Sequence, residues 1–131
     1  MVGTPGHSCE ALSYLLQEEH CIFTGDAIPV RGDIPIWIQK EDNRKSLEKL
    51  KELERADLFY PAWDMTYTKE EAKRKIEDAL ILMDEIQNTV IQYREKIESL
   101  DELVIKVCNT MGTPGFRKNP LFKRTIESFM E

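Results

Sequence analysis

Thr4-Pro5-Gly6-His7-Ser8 and, a hairpin's length later, Phe23-Thr24-Gly25-Asp26-Ala27 are the stretches on which the fold of this chain turns. The first sets a histidine beside a Pro-Gly turn. The second sets a carboxylate directly after an apolar, β-prone segment and a glycine. Imidazole and carboxylate are both metal-ligand types, and the Pro5-Gly6 turn lets the backbone come close to a bound ion. Each residue also has a plainer reading: His7 as a solvated loop histidine, and Asp26 as a turn aspartate accepting bonds from neighbouring amides. Residues 11 to 16 and 20 to 24 read as a β-hairpin joining the two stretches, the alternative being a helix over 9 to 18. The strand ahead of His7 would be only Met1-Val2-Gly3. A loop that carries a site is normally anchored by an element on each side, so a further element is expected to precede it.

Beyond Asp26, residues 27 to 42 carry Pro29, Gly32 and Pro35, and Ile34-Pro35-Ile36-Trp37-Ile38 is strongly apolar. Proline excludes this from an ordinary central strand, leaving a loop that packs down, an edge strand or a binding surface. Asp42 or Asn43 can cap a helix over 44 to 54, with Leu47, Leu50 and Leu53 on one face. Asp57-Leu58-Phe59-Tyr60 reads as a strand that ends in the loop Pro61-Ala62-Trp63-Asp64. Thr68-Lys69-Glu70-Glu71 is a capping box and opens a long helix over about 69 to 98. Ala72, Ile76, Ala79, Met83, Ile86, Val90, Tyr93, Ile97 and Leu100 form a heptad-like stripe along it, either a core face or a dimer seam. Ser99-Leu100-Asp101-Glu102 is a second capping box, opening a helix to about Met111. Asn119 and Pro120 open a last helix, with Leu121, Phe122, Ile126, Phe129 and Met130 on its apolar side. Gly-Thr-Pro-Gly occurs at 3 to 6 and at 112 to 115; the flanks share nothing else, so it is turn chemistry and not a repeat.

The 131 residues fit one domain's length, and 41% are hydrophobic, enough for a core. A formal net charge of -6 argues against a general nucleic-acid binder and against adsorption to an anionic membrane. No apolar run approaches the roughly 20 residues of a membrane span, and no signal peptide is evident, so a cytoplasmic protein is expected. Cys9, Cys21 and Cys108 lack the spacing of a disulfide or zinc-knuckle framework and read as reduced, partly buried thiols.

Three further side chains carry chemistry worth weighing. Asp64 could serve as a substitute ligand or a general base. Its neighbour Trp63 could line a pocket, but packing is the preferred reading. Cys9 could act as a soft ligand or nucleophile, though no histidine is paired with it. His20, in a polar turn, reads as surface.

Taken in order, these pieces resemble the second half of a metallo-β-lactamase-fold hydrolase. The resemblance rests on Thr4-Pro5-Gly6-His7-Ser8, on Phe23-Thr24-Gly25-Asp26-Ala27, on Ser46-Leu47-Glu48-Lys49-Leu50 and on the strand leading to the third loop. It covers about residues 2 to 66. Residues 67 to 131 resemble the helical C-terminal extension of some members, with Leu100-Asp101-Glu102-Leu103-Val104 as its most familiar stretch. The implied architecture is α/β: part of an αβ/βα sandwich, residues 1 to 66, followed by a helical region, residues 67 to 131. The implied chemistry is hydrolysis of esters and related bonds at a zinc or iron centre, with His7 as a metal ligand and Asp26 as the carboxylate that bridges two metals. Two departures stand out. The His-x-His-x-Asp-His motif that such proteins carry in their first half does not occur here, and the late Gly-His-Gly loop is replaced by Ala62-Trp63-Asp64. The metal would therefore be weakly held or absent in the isolated chain, since a stable zinc site takes three or four protein ligands.

Two functional readings follow. In one, the chain is the C-terminal part of a metal-dependent hydrolase, inactive alone, completed by a separately encoded N-terminal half or by its own copies, and acting on a small ester-type substrate. In the other it is a non-catalytic remnant that serves as an oligomerisation or protein-interaction module. The long stripe and residues 34 to 38 are the expected contact surfaces. A third reading, a helical regulator, would need the stripe to be a seam.

Overall fold

The computed structural model describes residues 1 to 130; Glu131, the last residue of the expected helical region, lies outside them. Strands β1 (Val2–Gly3), β2 (Leu12–Leu16), β3 (Cys21–Gly25), β4 (Leu58–Pro61) and β5 (Tyr67–Thr68) form one sheet in chain order. All neighbours are antiparallel except β3 and β4, which are parallel. A parallel pair needs a crossover, and here the loop 26 to 39 and helix α1 (Lys40–Lys51) supply it. Helices α2 (Lys69–Tyr93), α3 (Leu100–Met111) and α4 (Pro120–Ser128) follow, the last two joined through a short 3₁₀ turn, Pro114–Lys118.

The hairpin expected over 11 to 24 is present, with Tyr14 opposite Phe23, and the helical alternative over 9 to 18 is not formed. Helix α1 starts a turn earlier than its sequence suggests. Gln39 is the cap, without a side-chain bond, and the expected caps Asp42 and Asn43 lie inside the helix. Asn43 is buried there, its amide against Met83 Sδ at 3.6 Å, so its packing overrides its capping preference. The Thr68 capping box is complete, with Thr68 Oγ1 accepting from the Glu71 amide and the Glu71 carboxylate accepting from the Thr68 amide. Ser99 does begin α3, but its side chain makes no cap bond. At the last helix Asn119 Oδ1 accepts from the amides of Leu121 and Phe122, at 2.8 and 3.2 Å.

Helix α2 stops at Tyr93, short of the expected 98, in a turn closed by the Lys96 and Ile97 amides on the Tyr93 carbonyl. Its stripe is core: Ala72, Ile76, Ala79, Met83, Ile86 and Val90 are all buried. They belong to one cluster that runs from Ile22 and Phe59 of the sheet through Leu47 and Leu50 of α1 to Val104, Phe122 and Phe129. Residues 34 to 38 are a loop that packs down, with Trp37 fully buried edge-on to Phe129. The contact surfaces expected from sequence are thus largely consumed by the chain's own core.

The open surface is elsewhere. Strand register puts Leu15, Ile22, Phe59 and Tyr67 on the face that meets the helices, and Tyr14, Leu16, Phe23, Leu58 and Tyr60 on the other. Leu12, Tyr14, Leu16, Phe23 and Leu58 of that second face are between 37% and 51% exposed, which leaves a contiguous apolar sheet face uncovered.

Candidate functional site

Strand direction gathers the site. Because β1 opposes β2 and β2 opposes β3, strands β1, β3 and β4 all run the same way. The loops after them therefore leave from one edge of the sheet. They carry His7, Asp26 and Asp64, and the carboxyl ends of strands are where such folds place ligands. The three side chains line one cleft of about 350 Å³, with Ile28, Val30, Ile36 and Trp63 among its walls.

The first loop is clamped to α1. Gly6 has φ 137°, and a Cβ there would meet Asn43 Cα at 2.4 Å, so only glycine allows the approach. The Ser46 hydroxyl donates to the Pro5 carbonyl at 2.7 Å, Lys49 Nζ to the Gly3 carbonyl at 2.7 Å, and the Ile38 amide to the Gly6 carbonyl at 2.7 Å. This explains the Ser46-Leu47-Glu48-Lys49-Leu50 stretch: Leu47 and Leu50 face the core while Ser46 and Lys49 hold the loop.

His7 Nδ1 lies 3.0 Å from the Ile36 carbonyl. A carbonyl only accepts, so this hydrogen bond puts a proton on Nδ1, and whenever the ring is neutral the lone pair is on Nε2. Nε2 faces Asp26 Oδ2 at 3.7 Å. Two ligands about 2 Å from one tetrahedral ion are roughly 3.3 Å apart, so the pair is close to the spacing of neighbours on a shared metal. The second loop holds this position through Gly25, at φ 55°, whose carbonyl accepts from the Ala62 amide of the third loop at 3.0 Å.

Asp64 shares the cleft but is engaged in its own loop. Its carboxylate accepts from the Tyr67 hydroxyl and from the Met65 amide at 2.8 Å, and pairs with Lys75 Nζ at 3.6 Å. The Tyr67 hydrogen bond, then the Met65 amide, hold its pKa below the usual carboxylate range. Burial, then the Asp64 carboxylate, push the Tyr67 phenol upward. Trp63, for which packing is the expected role, is 82% exposed at the lip of the cleft, a correction to that expectation. Cys9 is exposed and does not line the cleft; Cys21 and Cys108 are buried, and burial raises the Cys108 thiol. His20 is exposed, in a left-handed turn conformation.

Sequence reading missed Ile36, whose carbonyl orients the imidazole; a backbone acceptor leaves no signature in side-chain identity. Among the described residues no group of three or more His, Cys, Asp or Glu side chains is gathered as a metal site. His7 and Asp26 are donor types that such a set uses, and the described residues gather no third with them.

An open sheet with parallel β3 and β4, helices on one face only, and an imidazole and a carboxylate converging at its edge make up the C-terminal part of a metallo-β-lactamase fold. A metallo-beta-lactamase family protein from Thermus thermophilus superposes with a TM-score of 0.63 over 96% of this chain and 40% of its own, at 18% identity. The beta-lactamase-like protein 2 homolog of Caenorhabditis elegans is 33% identical over 103 residues, 77% of this chain. The chain spans about a third, 34%, of that relative's length. No family model matches. No helix among the described residues is long and apolar enough to cross a membrane.

Proposed function

We propose that this chain supplies His7 and Asp26 to a zinc or iron centre of a metallo-β-lactamase-superfamily hydrolase. The remaining ligands come from an N-terminal section of the fold, on the same chain or a second one. The observation that carries this is the His7 geometry: Nδ1 sits 3.0 Å from the Ile36 carbonyl, which leaves Nε2 as the nitrogen nearest Asp26, 3.7 Å from its Oδ2. A metal-ligating histidine commonly donates its other nitrogen to a carbonyl in this way. The uncovered face of Leu12, Tyr14, Leu16, Phe23 and Leu58 is where a second sheet would pack.

When bound, the ion would polarise an ester-type carbonyl and activate water. The chain's own residues orient the imidazole, hold the Asp26 loop against the third loop through Gly25 and Ala62, and wall the cleft with apolar side chains. Asp64 serves as a brace for the third loop: its lowered pKa makes it a poor proton acceptor at neutral pH. Alone, the chain is inactive. Its three free thiols suit a reducing compartment, and we place it in the cytoplasm.

Zinc uptake by untagged protein tests this. The purified chain should retain less than about one-tenth of an equivalent of metal after dialysis, as two ligands imply. It should bind added zinc weakly, with the His7 ring resonances shifting, and His7→Ala should abolish that binding. Undiminished zinc binding by His7→Ala refutes the assignment. A second reading, a non-catalytic interaction module, is favoured by Trp63 standing where the family places a histidine and lying almost fully exposed. No response of His7 to zinc, with or without the N-terminal section, would select it.

A further inference from the structure

We infer that Thr125, on the last helix, is a positioning residue that sets the tautomer and orientation of the His7 imidazole through a single peptide plane. Thr125 is fully buried. Its Oγ1 accepts from the Trp37 amide at 3.2 Å and donates to the Pro35 carbonyl at 2.8 Å. The Leu121 and Trp37 carbonyls lie farther from it, at 3.2 and 3.5 Å, and one hydroxyl proton goes to the nearest acceptor.

The Trp37 N–H and the Ile36 C=O belong to the same amide unit. No peptide bond among the described residues is cis, so the two groups point in opposite directions from one rigid plane. One end of that plane is held by Thr125. The other end accepts from His7 Nδ1 at 3.0 Å. The flanks are fixed as well. Pro35 is tied to the same hydroxyl, the Trp37 indole is wedged edge-on to Phe129 at 5.8 Å, and the Ile38 amide returns to the Gly6 carbonyl at 2.7 Å.

The plane decides between two states of the ring. With the proton on Nε2, His7 would face Asp26 Oδ2 across 3.7 Å, too far for a hydrogen bond, and turn the Nδ1 lone pair onto the Ile36 carbonyl oxygen at 3.0 Å, acceptor against acceptor. With the Ile36 carbonyl held in place, the proton sits on Nδ1 and the lone pair is kept on Nε2. The helical region thus reaches the sheet-edge site through the hydroxyl of Thr125, 88 residues along the chain from Trp37.

The tautomer is measurable by long-range ¹⁵N–¹H correlation of the imidazoles at a pH where both rings are neutral, with no metal present. There are only two histidines, and His20, exposed in its turn, is the internal reference. In the wild-type chain His7 should be mainly Nδ1–H. Thr125→Val should lower the ratio of Nδ1–H to Nε2–H roughly fivefold, about what one net hydrogen bond is worth. Thr125→Ser should restore it. Ile126→Val, which loosens the same helix without touching the hydroxyl, should leave it unchanged. A wild-type His7 protonated on Nε2 overturns the inference even if Thr125→Val fails to fold. So does a Thr125→Val ratio equal to wild type, or an equal shift in Ile126→Val. Because no zinc is added, these results stand whether or not the chain proves to hold metal.

Discussion

His7, Asp26 and Asp64 show how differently three side chains on one sheet edge are committed. His7 and Asp26 face one another across 3.7 Å and make no hydrogen bond to each other, the gap that the proposed cation would fill. Asp64 already has its cation and donors in Lys75, Tyr67 and Met65. Its lowered pKa has a stability consequence of definite sign. A carboxylate with a depressed folded-state value adds stability that is present above its ordinary value, near 3.8, and is lost as pH falls through the folded value. Asp64→Asn should therefore destabilise the chain at pH 7, and the gap to wild type should close below pH 3.8. The carboxylate is partly solvated, so the neutral-pH cost should be modest, on the order of 1 kcal/mol after solvent screening. Urea melts of both proteins across that range check it; a gap that widens in acid contradicts the assignment.

Helix boundaries show where local chemistry decides and where packing does. Thr68 and Ser99 carry the same four-residue signature, yet only Thr68 makes both bonds of the box. Thr68→Ala should cost about 1 kcal/mol, the usual value of a lost N-cap, while Ser99→Ala should stay within about 0.5 kcal/mol. Equal losses in chemical denaturation would contradict this. The apolar repeat of α2 continues through Ile97 and Leu100, and those residues are indeed half-buried, but they reach the core from a turn and from α3. Periodicity records which residues face inward. It does not record that the chain has to reverse at Tyr93 to bring α3 back along α2. The start of α1 was hidden for a related reason: Asp42 and Asn43 have capping chemistry, and Asn43 is instead drawn under Met83.

On the scale of the whole molecule, the sheet is covered on one side only. Its other side presents Leu12, Tyr14, Leu16, Phe23 and Leu58 to solvent, an apolar set where a solvated sheet face normally carries polar side chains. The face should bind a hydrophobic dye such as ANS in the folded state. Replacing Leu12 and Leu16 together by lysine should cut that binding at least about twofold and lower self-association in light scattering, because exposed apolar area is what both report. Unchanged dye binding would mean that the face is covered in solution. The uncovered face also fits the extent of the relatives, since the chain spans 40% of the Thermus structure and 34% of the Caenorhabditis protein.

Taken alone, the residues determined the turn at Pro5-Gly6, the hairpin, the Thr68 and Asn119 caps, the stripe of α2 and the two ligand types at the ends of short strands. Each is settled by neighbours a few positions away: a glycine where φ is positive, a hydroxyl three residues before a glutamate, an apolar side chain every third or fourth place. Tertiary structure alone decided which polar atom meets which. The Ile36 carbonyl that accepts from His7 Nδ1 is 29 residues away from it, and the Thr125 hydroxyl that holds the same peptide is 88 from Trp37. Such contacts depend on two distant segments being packed against one core, so no local pattern of residues encodes them.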